Sequence, residues 1–299
     1  MVPPGDIGSV PLWVGVYAVL ALVLVLSGLL FYYRVVRLIS QGNSVARYDH
    51  IWQRSIGAFT IVVGQRKVLQ RVPKKDWAGA GHALIFWGFL SFSLSYLIFI
   101  FVGSVWRHFP ERLLTATGVR VFSTYLDILA AALLVALVWA LLRRWVVRPR
   151  RLSFDLTRNL DSVIVVAMIA ALMVSTLFTH AFYVAEGGLG PEAEIFIGGA
   201  LGDLFSASGL GAATAGTLQA VSWWIHLGII LGFAIYIPFS KHMHMVAAPL
   251  NAFFRSLEPR GALPSMNLET VEKFGAGRVQ DFTWKQLLDG YACAVCGRC

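Results

Sequence analysis

Five stretches of the chain are apolar almost without interruption: Leu12–Tyr32, Gly79–Val102, Phe122–Leu142, Ser162–Tyr183 and Leu218–Phe239. A run of about 18 apolar residues or more crosses a hydrocarbon core of about 30 Å at about 1.5 Å per residue. At that depth a backbone must satisfy its own hydrogen bonds, so each run is a helix. The pattern predicts an all-α membrane protein, a bundle of five transmembrane helices. The first run lacks a preceding basic residue and a following small-residue cleavage pattern, and it is too long for a signal peptide, so it reads as a mature helix.

The segments between the runs differ in character. Gln41–Trp77 is a long basic connection, and Ile51–Gly64 within it mixes apolar and polar residues as an interfacial amphipathic helix does. Val105–Gly118 reads as a short outer loop. Arg143–Arg158 reads as a basic inner loop in which Pro149 stops a continuous helix. Glu186–Gly216 is a longer outer segment, and Ile195–Leu210 in it suits an interfacial or re-entrant helix. Beyond the fifth run the chain turns polar, with Pro259 and Pro264 marking loops. The expected division is a membrane domain over 1–250, then a linker and the start of a small cytoplasmic domain over 251–299.

Composition agrees with lipid as the solvent. The 299 residues are 57% hydrophobic and 14% charged, against about 25% charged in soluble domains. The net charge is +9, and 22 of the 25 Lys and Arg fall in Arg34–Lys75, Arg143–Arg158 and Lys241–Arg298. With five crossings these segments share one side, which the positive-inside rule makes cytoplasmic. The N-terminus is then outside and the C-terminus inside. The basic charge reads as topology and contact with anionic lipid rather than as nucleic-acid binding.

Histidines within spans are expensive and mark function, and neutral imidazole is a haem ligand. His226 and His244 stand 18 residues apart. On one continuous helix that is five turns and about 27 Å, with both side chains on one face. This spacing suits two haems stacked across a membrane; helix anchoring and helix–helix bonding are the plainer readings. His82, near the start of the second run, is level with His244, and the pair would make a six-coordinate haem. Ala78, Gly79, Ala80 and Gly81 before it leave room for a macrocycle or a close-packed helix. His180 lies at a depth comparable with His226. It is a second ligand for an outer haem, a quinone- or water-pocket residue, or an interfacial histidine. His242 is expected to face away from His244, and His50 and His108 lie in loops. Trp223 and Trp224 fit an interfacial aromatic belt.

All three cysteines lie in the last seven residues, as Cys293-x-x-Cys296-x-x-Cys299. Three thiolates at this spacing cover three corners of a four-iron (4Fe–4S) cluster, and a fourth ligand commonly follows. The sequence stops before any such position, so the chain reads as a fragment truncated at the first cluster motif of a ferredoxin-like iron–sulfur domain. Zinc is the other ligand set of this type.

The helix Ile225-His226 through Pro238-Phe239-Ser240-Lys241-His242-Met243-His244 resembles the last helix of the respiratory nitrate reductase gamma subunit, a dihaem cytochrome b. Gly81-His82-Ala-Leu-Ile-Phe-Trp-Gly-Phe-Leu resembles its ligand-bearing second helix. Gly64-Gln65-Arg66-Lys67-Val68-Leu69 and the cysteine tail resemble proteins in which such a domain is fused to a heterodisulfide reductase-type iron–sulfur protein. The resemblance implies haem b on His82 and His244 and an outer haem on His226. The family's second histidine ten residues along helix two is Phe92 here, so the outer haem takes His180, is five-coordinate, or is absent. It also implies quinone exchange near the outer haem, with Arg120 and Tyr125 as contacts. A cytoplasmic redox protein, or the missing iron–sulfur domain, is the implied partner.

The expected function is a membrane electron-transfer subunit, a quinone-linked oxidoreductase component of a prokaryotic inner membrane. It would join a quinone pool to a cytoplasmic iron–sulfur module through b-type haem. The alternative is a haem-free membrane anchor for a cytoplasmic iron–sulfur oxidoreductase domain. A transporter would show broken helices or paired repeats, and the sequence has neither.

Overall fold

The computed structural model describes residues 4–5, 10–70, 72, 77–149, 156–188, 195–259, 269 and 275–294. Every regular element among them is helical. Five helices are long and apolar enough to cross a membrane: α1 (Leu12–Ile39), α3 (Ala78–Val105), α4 (Phe109–Val147), and the spans Leu160–Ala185 and Ala212–Phe239. The first three of these run on through wider π turns at their ends. The shorter helices are α2 (Ile51–Val62), α6 (Ile197–Ala207), α8 (Met243–Phe253) and α9 (Trp284–Ala292). The fourth and fifth spans belong to α5 (Leu156–Ala185) and α7 (Ala212–Tyr236).

Each expected span is present, and most are longer than the apolar run that predicts them. The stretch Val105–Gly118 is a correction. It is largely helical rather than an open loop, because α4 begins at Phe109 and bends at Thr115, whose φ is +62°. The Thr115 hydroxyl accepts from the Gly118 amide at 3.3 Å and so caps the span that follows. At the other end Arg148 turns left-handed and Pro149 stops the helix, as expected.

A second correction concerns the last span. The spacing of His226 and His244 presumes one straight helix. Instead α7 ends at Tyr236, a 3₁₀ turn runs over Ile237–Phe239, and Ser240 is extended with φ −111° and ψ 168°. Pro238 has no amide proton to donate to the ladder, and α8 starts afresh at Met243. His226 and His244 therefore lie on different helices, and 100° per residue does not align them. For the same reason His242 does not face away from His244: their rings meet edge-on at 5.6 Å.

The chain folds as two compact units. The first comprises residues 1–25 and 71–235. Its larger core joins Phe92 and Phe99 of α3, Leu126 and Leu133 of α4, and Leu172 and Leu177 of α5. Gly88 brings α3 against α4, since a Cβ there would sit 2.7 Å from Leu133 Cδ1. A second cluster joins Leu12 and Val16 of α1 to Ile100, Trp223 and Leu227. Trp223 is thus fully buried against α1 rather than in an aromatic belt; only its neighbour Trp224 stays partly exposed. Lipid tails are as apolar as leucine, so close packing and internal hydrogen bonds hold such helices together.

Helix α6 occupies the segment expected to be interfacial or re-entrant. Its 11 residues are too few to span. It lies against α5 through Gly198 and Gly202, spaced as in small-residue helix contacts. A Cβ on Gly202 would stand 2.6 Å from Val184 Cβ and 2.7 Å from the Ala181 carbonyl oxygen. Its first turn is held by the fully buried Asp127 of α4, whose carboxylate accepts from the Ile197 amide at 2.5 Å and the Gly198 amide at 3.0 Å. A carboxylate at a helix N-terminus meets both the unpaired amides and the positive end of the helix dipole.

The second unit comprises residues 26–70 and 236–299. Its core is Val35, Met243, Ala247 and Leu288. α2 forms where the mixed pattern predicts it, and its Arg54 is 1% exposed. The Arg54 guanidinium donates to the Arg255 carbonyl at 2.6 Å, the Phe253 carbonyl at 3.3 Å, and Asp49 through both its backbone oxygen and its carboxylate, each at 2.7 Å. It thereby satisfies carbonyls at the C-terminus of α8, where a cation also complements the helix dipole. The described part of the C-terminal segment docks on the same unit. Asn43 and Thr283 form a single parallel bridge, Trp284 Nε1 donates to the Val45 carbonyl at 3.0 Å, and the Tyr291 hydroxyl donates to the Arg34 carbonyl.

Three stability outcomes are expected. Gly202→Val should destabilise the first unit by about 1–3 kcal/mol, the usual cost of overpacking, read as a lower unfolding temperature in detergent. Arg54→Leu should cost roughly 2–3 kcal/mol by stripping partners from buried carbonyls. The Arg54 hydrogen bond holds the Asp49 carboxyl below its ordinary range. That pairing stabilises the fold above about pH 4 and is lost as pH falls through the depressed value. Asp49→Asn should therefore flatten the acid side of the stability–pH curve, measured by thermal unfolding across pH.

Candidate functional site

α5 and α7 pack antiparallel, in a register fixed by two side-chain pairs. Thr179 donates to the Ser222 hydroxyl at 2.9 Å, and Ser175 meets His226 Nδ1 at 2.8 Å. Both pairs are buried. The Ser175 hydroxyl has one proton and lies 3.0 Å from the Leu172 carbonyl, which can only accept. Its proton goes there, so Ser175 Oγ accepts from His226 Nδ1–H. The lone pair of His226 is thus left on Nε2, which is buried and has no protein partner among the described residues. A ring held through Nδ1–H with a bare Nε2 is the tautomer that binds a metal. Tyr96 packs edge-on against it at 5.3 Å. Phe92, standing where the resembled family has its second histidine, is buried and packs on Tyr96 at 6.1 Å.

His180 is 2% exposed, and neither ring nitrogen has a partner among the described residues. An imidazole buried this way forfeits about 1–3 kcal/mol, which a ligand, a water or a cofactor would recover. The register places it one residue beyond Thr179, hence about 7.5 Å along the helix axis from the level of His226. Its Cβ abuts Gly198: a Cβ on that glycine would meet it at 2.8 Å and Asp127 Oδ1 at 3.3 Å. His180 therefore sits beside the amides that Asp127 caps. An open pocket of about 560 Å³ lies along α6, lined by Thr124, Val184, Ile195 and Asp203 among others.

His82 occupies the first turns of α3 in the first unit and is exposed. His244 belongs to the second unit, on α8, and is half-buried. Its Nδ1–H donates to the Lys241 carbonyl, which again leaves the lone pair on Nε2. Tyr125 is half-exposed with its hydroxyl 2.9 Å from that of Ser91, and Arg120 is exposed. Cys293 follows α9 directly and is exposed; Cys296 and Cys299 lie outside the described residues. Among the described residues no three His, Cys, Asp or Glu gather as a metal cage.

Two residues escape the sequence reading. Asp127 was legible, because it is the sole charged residue in the apolar run Phe122–Leu142, and an acid within a span marks a specific role. Ser175 carries no such signal, since serines are ordinary in membrane helices.

No protein-family model matches the chain, and no solved structure matches it. It is 34% identical over 259 residues to the probable iron-sulfur-binding oxidoreductase FadF of Bacillus subtilis strain 168, covering 85% of this chain and 34% of that protein. It is 30% identical over 277 residues to the EtfAB:quinone oxidoreductase of Syntrophomonas wolfei subsp. wolfei, covering 88% of this chain and 36% of that protein. The chain spans about a third of the length of these curated relatives. Over most of its own length, this chain is thus similar to part of one protein named for iron–sulfur binding and part of another named for quinone oxidation and reduction.

Proposed function

We propose that the chain is the membrane electron-transfer portion of a quinone-linked iron–sulfur oxidoreductase, exchanging electrons between a quinone pool and a cytoplasmic iron–sulfur module. The observation that carries this reading is His226: a buried imidazole, fixed by Ser175 through Nδ1, with an unpartnered Nε2. Similarity to proteins named for iron–sulfur binding and for quinone oxidoreduction supports the same reading. Its five apolar helices and one-sided basic segments support an inner membrane of a prokaryote, with the N-terminus outside and the C-terminus cytoplasmic.

In this proposal His82 and His244 hold an inner haem b, and His226 holds an outer one with His180 as the candidate partner. Cys293, Cys296 and Cys299 give three ligands to a 4Fe–4S cluster. The orphaned Nε2 of His226 and the two bare nitrogens of His180 fit such groups. Haem supplies a one-electron relay when bound. The chain's own part is to orient the imidazoles, through Ser175 for His226 and through the Lys241 carbonyl for His244. It also keeps His180 and His226 buried, with Tyr96 packed against His226.

Reduced-minus-oxidised optical spectra of the purified protein, with haem quantified per chain, test the reading. A b-type spectrum is expected. His82→Ala or His244→Ala should remove the inner haem, and unchanged haem content and midpoint potentials would sink that ligand pair. His226→Ala should remove the outer one. Ser175→Ala should leave haem bound but shift its potential and low-spin signals, whereas Ser175→Thr restores them. Protein made with ample haem supply that shows no Soret band would replace this proposal with the haem-free anchor.

A further inference from the structure

A second recess lies wholly within the second unit, with a volume of about 720 Å³. That is within the range of small-molecule sites, roughly 300–1,000 Å³. Three helices turn apolar faces into it. Val35 and Ile39 come from the end of α1, Met243 and Ala247 from α8, and Trp284 and Leu288 from α9. Val35, Met243, Ala247 and Leu288 are themselves almost fully buried, so these walls are packed and preformed. One side is extended by rings in sequence: Tyr48 meets Phe254 at 5.7 Å, and Phe254 meets Trp284 at 5.0 Å. The rim carries the hydroxyl-bearing residues Ser44 and Tyr48, both exposed.

The geometry points to this recess as a binding site for the ring and first isoprenoid units of a quinone. The inference rests on the quinone-linked reading above and gives that carrier a place. Three observations select the occupant. The lining is apolar with hydroxyls at one edge, which suits a flat ring with two carbonyl oxygens and a hydrocarbon tail. One wall of the recess, Phe31, Val35, Val36 and Ile39, is the end of the apolar span Leu12–Ile39, so the surface that would meet a hydrocarbon tail is continuous with that span. The third observation is proximity to two candidate ligand residues of the same unit. Leu288 is five residues before Cys293, about 7.5 Å of chain rise. Met243 directly precedes His244.

Conversion of one quinone to quinol takes up two electrons and two protons. A cluster held by Cys293, Cys296 and Cys299 would supply the electrons one at a time, and water at the Ser44–Tyr48 rim would supply the protons; oxidation would run the same path in reverse. This site is distinct from the outer position that the family resemblance implies near Arg120 and Tyr125.

The test is photolabelling of the whole chain in phospholipid nanodiscs with a short-tailed azidoquinone, followed by peptide mapping. Label is expected on residues 40–48 and 243–250, displaced by excess unlabelled quinone and not by added phospholipid. Ala46→Trp, at the exposed rim, should weaken quinone binding roughly tenfold, equivalent to about 1.4 kcal/mol, at an unchanged unfolding temperature. If that variant fails to fold, Ser44→Phe serves the same purpose. Label concentrated on 120–125 or on the lining of the α6 pocket would overturn the assignment. Displacement by phospholipid as readily as by quinone would overturn it too, marking a lipid-tail groove. Quinone-dependent redox with label elsewhere defeats only this site, whereas absence of any quinone-dependent redox defeats the function proposed above.

Discussion

Inside a bilayer a polar group has no water to turn to, and each one must find its partner within the protein. That constraint explains most of the polar chemistry in the first unit. Asp127 is tolerable at zero exposure because two helix amides meet its carboxylate. Ser175, Thr179 and Ser222 are tolerable because they bond one another and neighbouring carbonyls across the α5–α7 contact. Interhelical bonds of this kind contribute about 0.6 kcal/mol each on average, so they set register more than they supply stability. The exceptions then carry the information. In this unit His226 Nε2, both nitrogens of His180, Ser123 Oγ and Trp223 Nε1 are buried without partners among the described residues, and of these the imidazole nitrogens are the ones able to ligate a metal.

The same rule shapes how α6 is built. An 11-residue helix cannot cross, and its first-turn amides would be orphaned at depth. Asp127 supplies the acceptor from a neighbouring helix, while Gly198 and Gly202 remove the side chains that would keep α6 off α5. The outcome brings the capped helix end against His180. A single acid in α4 and a glycine pair far along the chain thus define the surroundings of a histidine on α5.

Much of this was legible in the sequence, for a simple reason. The five spans are all-round apolar, and no partner element is needed to recognise such a run. α2 and the break at Pro149 were legible from amphipathic mixing and from proline. What failed was geometry that depends on continuity. The 18-residue spacing of His226 and His244 has meaning on a straight helix only, and Pro238 with the extended Ser240 ends that helix. Trp223 reads as a belt residue until α1 is seen to cover it. The Ser175 bond to His226 is a contact between residues 51 apart, which no local pattern signals. The lodging of Trp284 against Val45 is of the same kind.

The two units offer complementary chemistry to electrons and protons. The first buries His180 and His226, the latter against Tyr96, in a dry environment where a charge change is felt strongly because little solvent screens it. The second mounts its cysteine-bearing chain on fixed partners: Thr283 caps α9, Tyr291 reaches the Arg34 carbonyl, and Trp284 is tied to Val45. Such anchoring fixes α9, from which Trp284 and Leu288 line the apolar recess. Electron exchange needs that fixed, close approach, whereas protons need water. A recess with packed apolar walls and an exposed Ser44–Tyr48 rim meets both requirements at once, and the buried histidines of the first unit, lacking any such rim, meet only the first.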